Sequence, residues 1–250
     1  MSTPDKPPRR LLIGAGSFAD AQAALRLADR LAETLAGDLG GLLVEETVLS
    51  GIVDLPGQRV VTSGGALLVA PSRRQVRTLF ESDARAFRER LSGLARARMR
   101  KWSFERCHGD LIGGVCGAAK GWDILLLGHR EIHRRRGRVV LIAPPGAGRS
   151  AAPDLAQDLA GMLHTDLVAL SLGPEAGQEH FATEPEMLAR IGRISAAAVV
   201  LDLSAGPLRT HDQLRQLLSA ARCPLVVLGA AQGEASIAHS TQIPPAPEDA

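Results

Sequence analysis

Tyrosine is absent from this 250-residue chain, and aromatic residues of any kind make up 3% of it. Proteins that hold single-stranded nucleic acid stack its bases on exposed rings, so nucleic acid is not an expected partner. Cysteine is almost as scarce. Cys107, Cys116 and Cys223 are an odd number with no CxxC pair, which argues against a disulfide framework and against a cysteine-based zinc site. No run reaches the ~18 apolar residues that a membrane span needs. The N-terminal stretch MSTPDKPPRR has no apolar signal core. The expectation is a soluble, cytoplasmic protein without a membrane partner.

What the chain does have is a hydrophobic fraction of 45%, enough for a sizeable core. Net charge is only +2, but it is unevenly spread. Residues 1–148 carry 23 Lys and Arg against 15 Asp and Glu, a net of +8, whereas residues 149–250 carry 6 against 12, a net of −6. The halves could attract each other, or the basic half could hold an anion. Arginine supplies 26 of the 29 basic residues, which also fits a plain compositional bias.

The spacing of apolar residues predicts an α/β chain. Residues 1–9 read as a loose arm. Leu11-Leu12-Ile13 opens a buried strand that ends in Gly14-Ala15-Gly16-Ser17. Ser17, with Asp20 three residues on, reads as a helix cap. Ala21, Ala24, Leu25, Ala28, Leu31, Ala32 and Leu35 then repeat at helical spacing, and Leu39 to Val44 is a second strand. Arg59-Val60-Val61 and Ala66 to Ala70 flank a Thr-Ser-Gly-Gly turn, a possible hairpin. A helix from about Arg74 to Arg100, roughly 40 Å long, carries an apolar stripe through Val76, Phe80, Phe87, Leu91, Leu94 and Met99. Trp102 to Cys107 is a strand, Asp110 caps a short helix, and Ile124 to Leu127 has the continuous apolar run of a central parallel strand. Strands at Val139 to Ala143, Leu167 to Leu172, Ala198 to Leu203 and Pro224 to Gly229 alternate with helices at Ser150 to His164, Pro185 to Ser195 and Thr210 to Arg222. The polar residues 230–250 read as a disordered tail.

The chain also repeats itself. At a constant offset of 128 residues, Ala28 falls on Ala156, Leu31 on Leu159, Ala32 on Ala160, Leu35 on Leu163, Asp38 on Asp166 and Leu39 on Leu167. Such self-similarity points to duplication of one α/β unit. Ile124 to Leu127 matches Ala198 to Leu201 at an offset of only 74, so the second unit lacks the hairpin and long helix of the first. The first lacks the closing helix and strand at 210–229. The expected units are 10–137 and 138–229, and whether they share one sheet stays open.

Three blocks together resemble the universal stress protein family. They are LLIGAGSFADAQAALRLADRLAETLAGDLGGLLVEE, GDLIGGVCGAAKGWDILLLGHR and HDQLRQLLSAARCPLVVLG, which in this order cover most of residues 10–229. The resemblance implies Rossmann-like parallel sheets of the adenine nucleotide alpha hydrolase type, in two degenerate repeats packed as an intramolecular pair. Family members that bind ATP are similar to one another in an Asp near the end of the first strand and in Gly-x2-Gly-x9-Gly-Ser/Thr after the fourth. Here Ala15 stands at the first-strand position, and Pro144 or Pro145 in the second repeat. Only Gly128 matches after the fourth strand, Glu131 replaces the second glycine, and Asp202 stands at the first glycine position of the second repeat. Conventional ATP binding is therefore not expected, and no cofactor is assigned.

The sharpest local feature is Gly128-His129-Arg130, continuing through Glu131, Ile132 and His133 to Arg134-Arg135-Arg136. It lies just past a parallel strand, where open α/β sheets bind ligands, so Gly128, His129 and Arg130 form a candidate anion or nucleotide site. The alternative is a solvated linker between the repeats. His129 and His133 stand four apart, but nothing else completes a metal ligand set. Gly14-Ala15-Gly16 lacks the third glycine of a dinucleotide loop, since Ala19 takes its place, and Pro144 to Ser150 lacks a P-loop lysine. Cys107 beside His108 would face the opposite way on a strand. No acid–base or nucleophilic pair emerges, so the expectation is a non-catalytic protein of stress response or regulation, acting by binding a partner or a small ligand. The alternative is a nucleotide-binding regulator with an altered phosphate loop. The strand at 224–229, taken as a sheet edge, is the expected route of self-association or partner binding.

Overall fold

The computed structural model describes residues 9–33, 37–46, 59–61, 67–69, 72–129, 137–145, 150–173 and 179–233. The first half contains β1 (Leu11–Ala15), α1 (Phe18–Leu31), β2 (Leu39–Glu46), β3 (Arg59–Val61), β4 (Leu67–Val69), α2 (Arg73–Ala97), β5 (Trp102–Gly109), α3 (Leu111–Ala118) and β6 (Ile124–Leu127). The second contains β7 (Arg138–Ile142), α4 (Ala152–Leu163), β8 (Leu167–Leu172), β9 (Glu179–Phe181), α5 (Glu184–Ile191), β10 (Ala196–Asp202), α6 (His211–Ala221) and β11 (Leu225–Leu228).

One sheet of nine strands runs through both halves, in the order β5-β2-β1-β6-β11-β10-β7-β8-β9. Its strands are parallel except where β6 meets β11, with Leu127 opposite Leu225 and Ile124 opposite Leu228. The architecture is thus α/β and Rossmann-like, and the question of one sheet or two is answered with one. Within this sheet the strands of each half are parallel as expected, and its one antiparallel pair is the junction between the halves. The ILLL and LVVL segments are buried throughout, and an all-apolar run fits a central strand of either direction.

The junction corrects the expected edge at 224–229. β11 is hydrogen-bonded to β6 on one side and β10 on the other, so its backbone groups are already used. Because the first half has no closing strand of its own, β6 takes the closing strand of the second half as its neighbour.

The two halves pair their strands alike. Leu11 lies opposite Leu39 and Ile124, and Val139 lies opposite Leu167 and Ala198. The Leu11 N–H donates to the Asp38 carbonyl at 2.9 Å, and the Val139 N–H donates to the Asp166 carbonyl at 3.0 Å. These equivalent positions stand at the offsets of 128 and 74 read from the sequence.

Helices α1, α2 and α4 cover one face of the sheet, over a core that includes Leu31, Phe87, Leu91, Leu126 and Leu159. Helices α3, α5 and α6 cover the other, over Val115, Leu127, Met187, Leu214 and Leu225. Within β6, Ile124 and Leu126 face one core, Leu125 and Leu127 the other, as the twofold period of a strand requires. The hairpin forms as expected, with Arg59 opposite Val69 and Val61 opposite Leu67; its turn lies outside the described residues. Helix α2 ends at Ala97, so Met99 falls beyond it and is exposed rather than on the apolar stripe, and α5 ends at Ile191, short of the expected Ser195, because β10 already begins at Ala196. The strand β9 has no counterpart in the sequence reading. Residues 1–8 and 234–250, holding most of the expected arm and tail, lie outside the described residues. The ordered chain runs past the expected start of the tail at residue 230, since Ala230–Gln232 form a 3-10 turn with Ala230 buried.

Candidate functional site

In each half, strand order reverses beside the first strand: between β1 and β6, and between β7 and β10. Ligands of open α/β sheets bind outside the carboxyl ends of strands at such places. The candidate residues Gly128 and His129 follow β6 at the first of them, while Arg130 lies outside the described residues, as do Glu131 to Arg136.

Gly128 does a packing job. Its N–H donates to the Gly14 carbonyl at 2.8 Å. A Cβ there would stand 2.6 Å from the Asp20 carbonyl oxygen and 3.1 Å from the Ala21 nitrogen. The glycine thus lets the first turn of α1 lie against the end of β6. The helix start itself is furnished from within. Ser17 Oγ accepts the Asp20 N–H at 3.1 Å and donates to the Asp20 carboxylate at 2.6 Å. Another donor of the first turn, the half-buried Phe18 N–H, is taken by Asp83 Oδ2 of α2 at 3.1 Å. The amino end of a helix favours an anion through its free N–H groups and its dipole, and here that anion is a carboxylate of the chain.

The second reversal point is closed in another way. Asp202, 5% exposed at the end of β10, accepts hydrogen bonds from Ser150 Oγ at 2.6 Å, Ser204 Oγ at 2.6 Å and the Ser204 N–H at 2.8 Å. A weaker bond comes from the Ala205 N–H at 3.3 Å. Burial by itself would push its carboxyl up. The hydroxyls of Ser150 and Ser204 and the two backbone donors outweigh burial and hold it below the usual range. Ser150 Oγ in turn accepts the Ala152 N–H at 3.1 Å, so the carboxylate is tied to the first turn of α4 through one hydroxyl.

His129 is parted from Gly128 by its surroundings. It lines a cleft of about 260 Å³ with Glu46, Asp110, Ile112, Arg215 and Leu218. The cleft sits where α3 of the first half meets α6 of the second. Asp110 caps α3 by accepting the Gly113 N–H at 2.7 Å, and it accepts Arg215 Nη2 at 2.9 Å. Arg215 also pairs with Asp212. Partial burial pushes the Asp110 carboxyl up, but the Gly113 N–H and the Arg215 guanidinium hold it below its ordinary value. The cleft is smaller than the ~300–1,000 Å³ of drug-sized sites. Beside one guanidinium that is already doubly paired, it presents two carboxylates. That balance gives a polyphosphate little to hold.

The nucleophile candidates separate as the strand period requires. Cys107 lies against Gly114 and Val44 on the α3 face, while His108 stacks near Phe80 of α2 and pairs with Glu45 at 2.9 Å. Burial, then Glu105, pushes the Cys107 thiol up, and burial, then Asp110, pushes Cys116 up to about 11. Neither thiol is activated. Among the described residues no group of three or more His, Cys, Asp or Glu could hold a metal ion. No helix among them is long and apolar enough to cross a membrane.

The sequence reading missed Asp83, Arg215 and the role of Asp202 as an internal acceptor. Asp83 carried a signal: it stands three residues after Phe80 and four before Phe87, inside the apolar stripe of α2. An acid on a buried stripe needs a donor.

No family model matches the chain, and no curated protein matches it. Among solved structures it is similar to a universal stress protein of Archaeoglobus fulgidus, at 11% identity and a TM-score of 0.48, over 90% of this chain and 97% of that one. It is likewise similar to a protein of unknown function from Pseudomonas aeruginosa, at 12% identity and a TM-score of 0.48, over 88% and 92%. Universal stress protein UspA of Lactobacillus plantarum matches at 16% identity and a TM-score of 0.32, over 66% of this chain and 99% of that one.

Proposed function

We propose that this chain is a universal-stress-type protein of the cytoplasm, built from two tandem copies of one α/β unit. It acts in stress response or regulation without catalysis, by binding a partner or a small ligand. One observation carries the reading. Each reversal point of the sheet already holds a carboxylate of the chain, Asp83 on the α1 amino end and Asp202 at the end of β10. A phosphate entering either place meets a like charge. The stress-response part rests on the three sequence blocks, and the tandem part on the shared strand registers. The small-ligand site of this reading is the cleft lined by His129, Asp110 and Arg215.

A second reading, a nucleotide-binding regulator with an altered phosphate loop, draws support from His129, which lines that cleft at the carboxyl end of β6. Thermal shift with ATP, ADP, AMP and cyclic nucleotides plus magnesium separates the two. A ligand at 100 times its dissociation constant adds about 2.7 kcal/mol to the native state. The expected result is no shift at millimolar nucleotide. A shift that His129→Ala abolishes would establish the second reading instead.

A further inference from the structure

The two edges of the sheet are unequal. At one end β9 has three residues, and at the other β5 has eight, every one in register with β2 from Leu39–Trp102 to Glu46–Gly109. Short edges are protected by their length, whereas a long edge is a template for another strand.

The register fixes which groups face outward. Leu39 lies opposite Trp102, and the Leu39 N–H donates to the Lys101 carbonyl at 2.9 Å. In a parallel ladder the residues facing the partner alternate with residues facing away. The N–H and C=O groups of Trp102, Phe104, Arg106 and His108 therefore point away from β2. None of them bonds another backbone or side-chain group among the described residues.

The side chains of these same four residues lie on the α2 face of the sheet. Phe104 packs edge-on against Phe87, Arg106 lies 5.8 Å over Phe80, and Arg88 of α2 lies 5.9 Å over Trp102. Arg88 and Arg106 are exposed, while His108 is engaged by Glu45. Each ring steadies a guanidinium beside the edge and leaves its N–H groups available. Glu105 projects to the other face.

This geometry decides between two occupants. Antiparallel pairing of β5 with a second copy joins outward-facing residues to outward-facing residues. On the α2 face, the β5 strand of such a copy brings Trp102, Phe104, Arg106 and His108, with no carboxylate among them, and the nearby Glu45 is already paired with His108. It would set arginines near arginines.

We infer that the β5 edge is a docking site for an extended acidic segment of a partner protein. The segment adds a tenth strand beside Trp102 to His108 and places carboxylates of alternate residues on Arg106 and Arg88. Main-chain bonds supply the affinity, and the guanidiniums supply the choice of partner.

The test uses the full chain and a labelled short peptide that alternates glutamate and threonine, with a lysine–threonine peptide as its counterpart. Anisotropy should report binding of the acidic peptide alone, and hydrogen exchange should slow at the amides of Trp102, Phe104, Arg106 and His108. Arg106→Glu combined with Arg88→Glu should weaken binding by about tenfold or more. Arg106→Pro removes one outward donor without touching the β2 ladder, a substitution that sheet edges tolerate, and should also weaken binding. Circular dichroism confirms that each variant is folded. The proposal fails if the acidic peptide does not bind, or if the basic peptide binds equally well. It also fails if exchange slows elsewhere, or if sedimentation shows that the protein alone pairs through β5.

Discussion

Gly128 and Asp202 hold the same place in the two halves at the offset of 74, one just past β6 and the other the last residue of β10, and the chain treats that place in opposite ways. In the first half α1 begins at Phe18, and its first turn presses on Gly128 so closely that a Cβ would strike the Asp20 carbonyl. In the second half α4 begins at Ala152, which at the offset of 128 is equivalent to position 24, six residues later. The room left by the missing turn is filled by the Asp202 side chain and Ser150. A backbone helix turn and a hydrogen-bonded carboxylate are alternative ways of closing the end of one sheet. Closing the end of a sheet without a ligand need not leave a hole, because the chain can supply its own anion.

The comparison can be broken most severely at Asp202. Asp202→Ala strands the hydroxyls of Ser150 and Ser204 and should cost about 2–4 kcal/mol, read as a lower urea midpoint. The acid limb sharpens the point. The folded carboxyl lies below its ordinary value, so its contribution is present above the unfolded pKa of about 3.9 and fades as pH falls through the lower folded value. In urea titrations across pH, the gap between the wild type and Asp202→Asn should narrow below about pH 4.

Next in size is Gly128→Ala. The contact is with backbone rather than a movable side chain, so α1 must shift, at a cost of about 1–3 kcal/mol. A melting temperature equal to the wild type would show that α1 and β6 are not packed as described. Asp83→Ala should cost about 1 kcal/mol, the scale of a helix cap. Asp83→Asn, which keeps the acceptor oxygen and loses the charge, should recover part of it in the same urea titration. The smallest effect has the opposite sign. Gly93 in α2 has open space where a Cβ would go, so Gly93→Ala should raise stability by about 0.5–1 kcal/mol. A loss would mean that the outer face of α2 is covered.

Much of the fold was legible because local patterns report burial. The ILLL run at 124–127 and the LVALSL segment at 167–172 were placed to the residue, since four to six apolar residues between turns leave few alternatives. Asp110 and Thr210 were placed as helix starts, and both accept the N–H of the third helical residue. The candidate site was only partly legible. Gly128 and His129 adjoin in sequence, yet one packs on α1 and the other lines a cleft completed by Arg215, 86 residues away. No window of sequence contains that pairing.

The sequence by itself determined where most strands and helices lie, and it showed that Ala28, Leu31, Ala32, Asp38 and Leu39 recur in kind 128 residues on. Periodicity and turn chemistry are local, and they survive without knowledge of what lies across the sheet. Only the tertiary structure decided that the halves share one sheet, that β11 lies in its middle, and that β5 is its long outer strand among the described residues. Strand direction and neighbour choice depend on contacts between segments about a hundred residues apart. An apolar run of four residues buries equally well beside a parallel or an antiparallel partner.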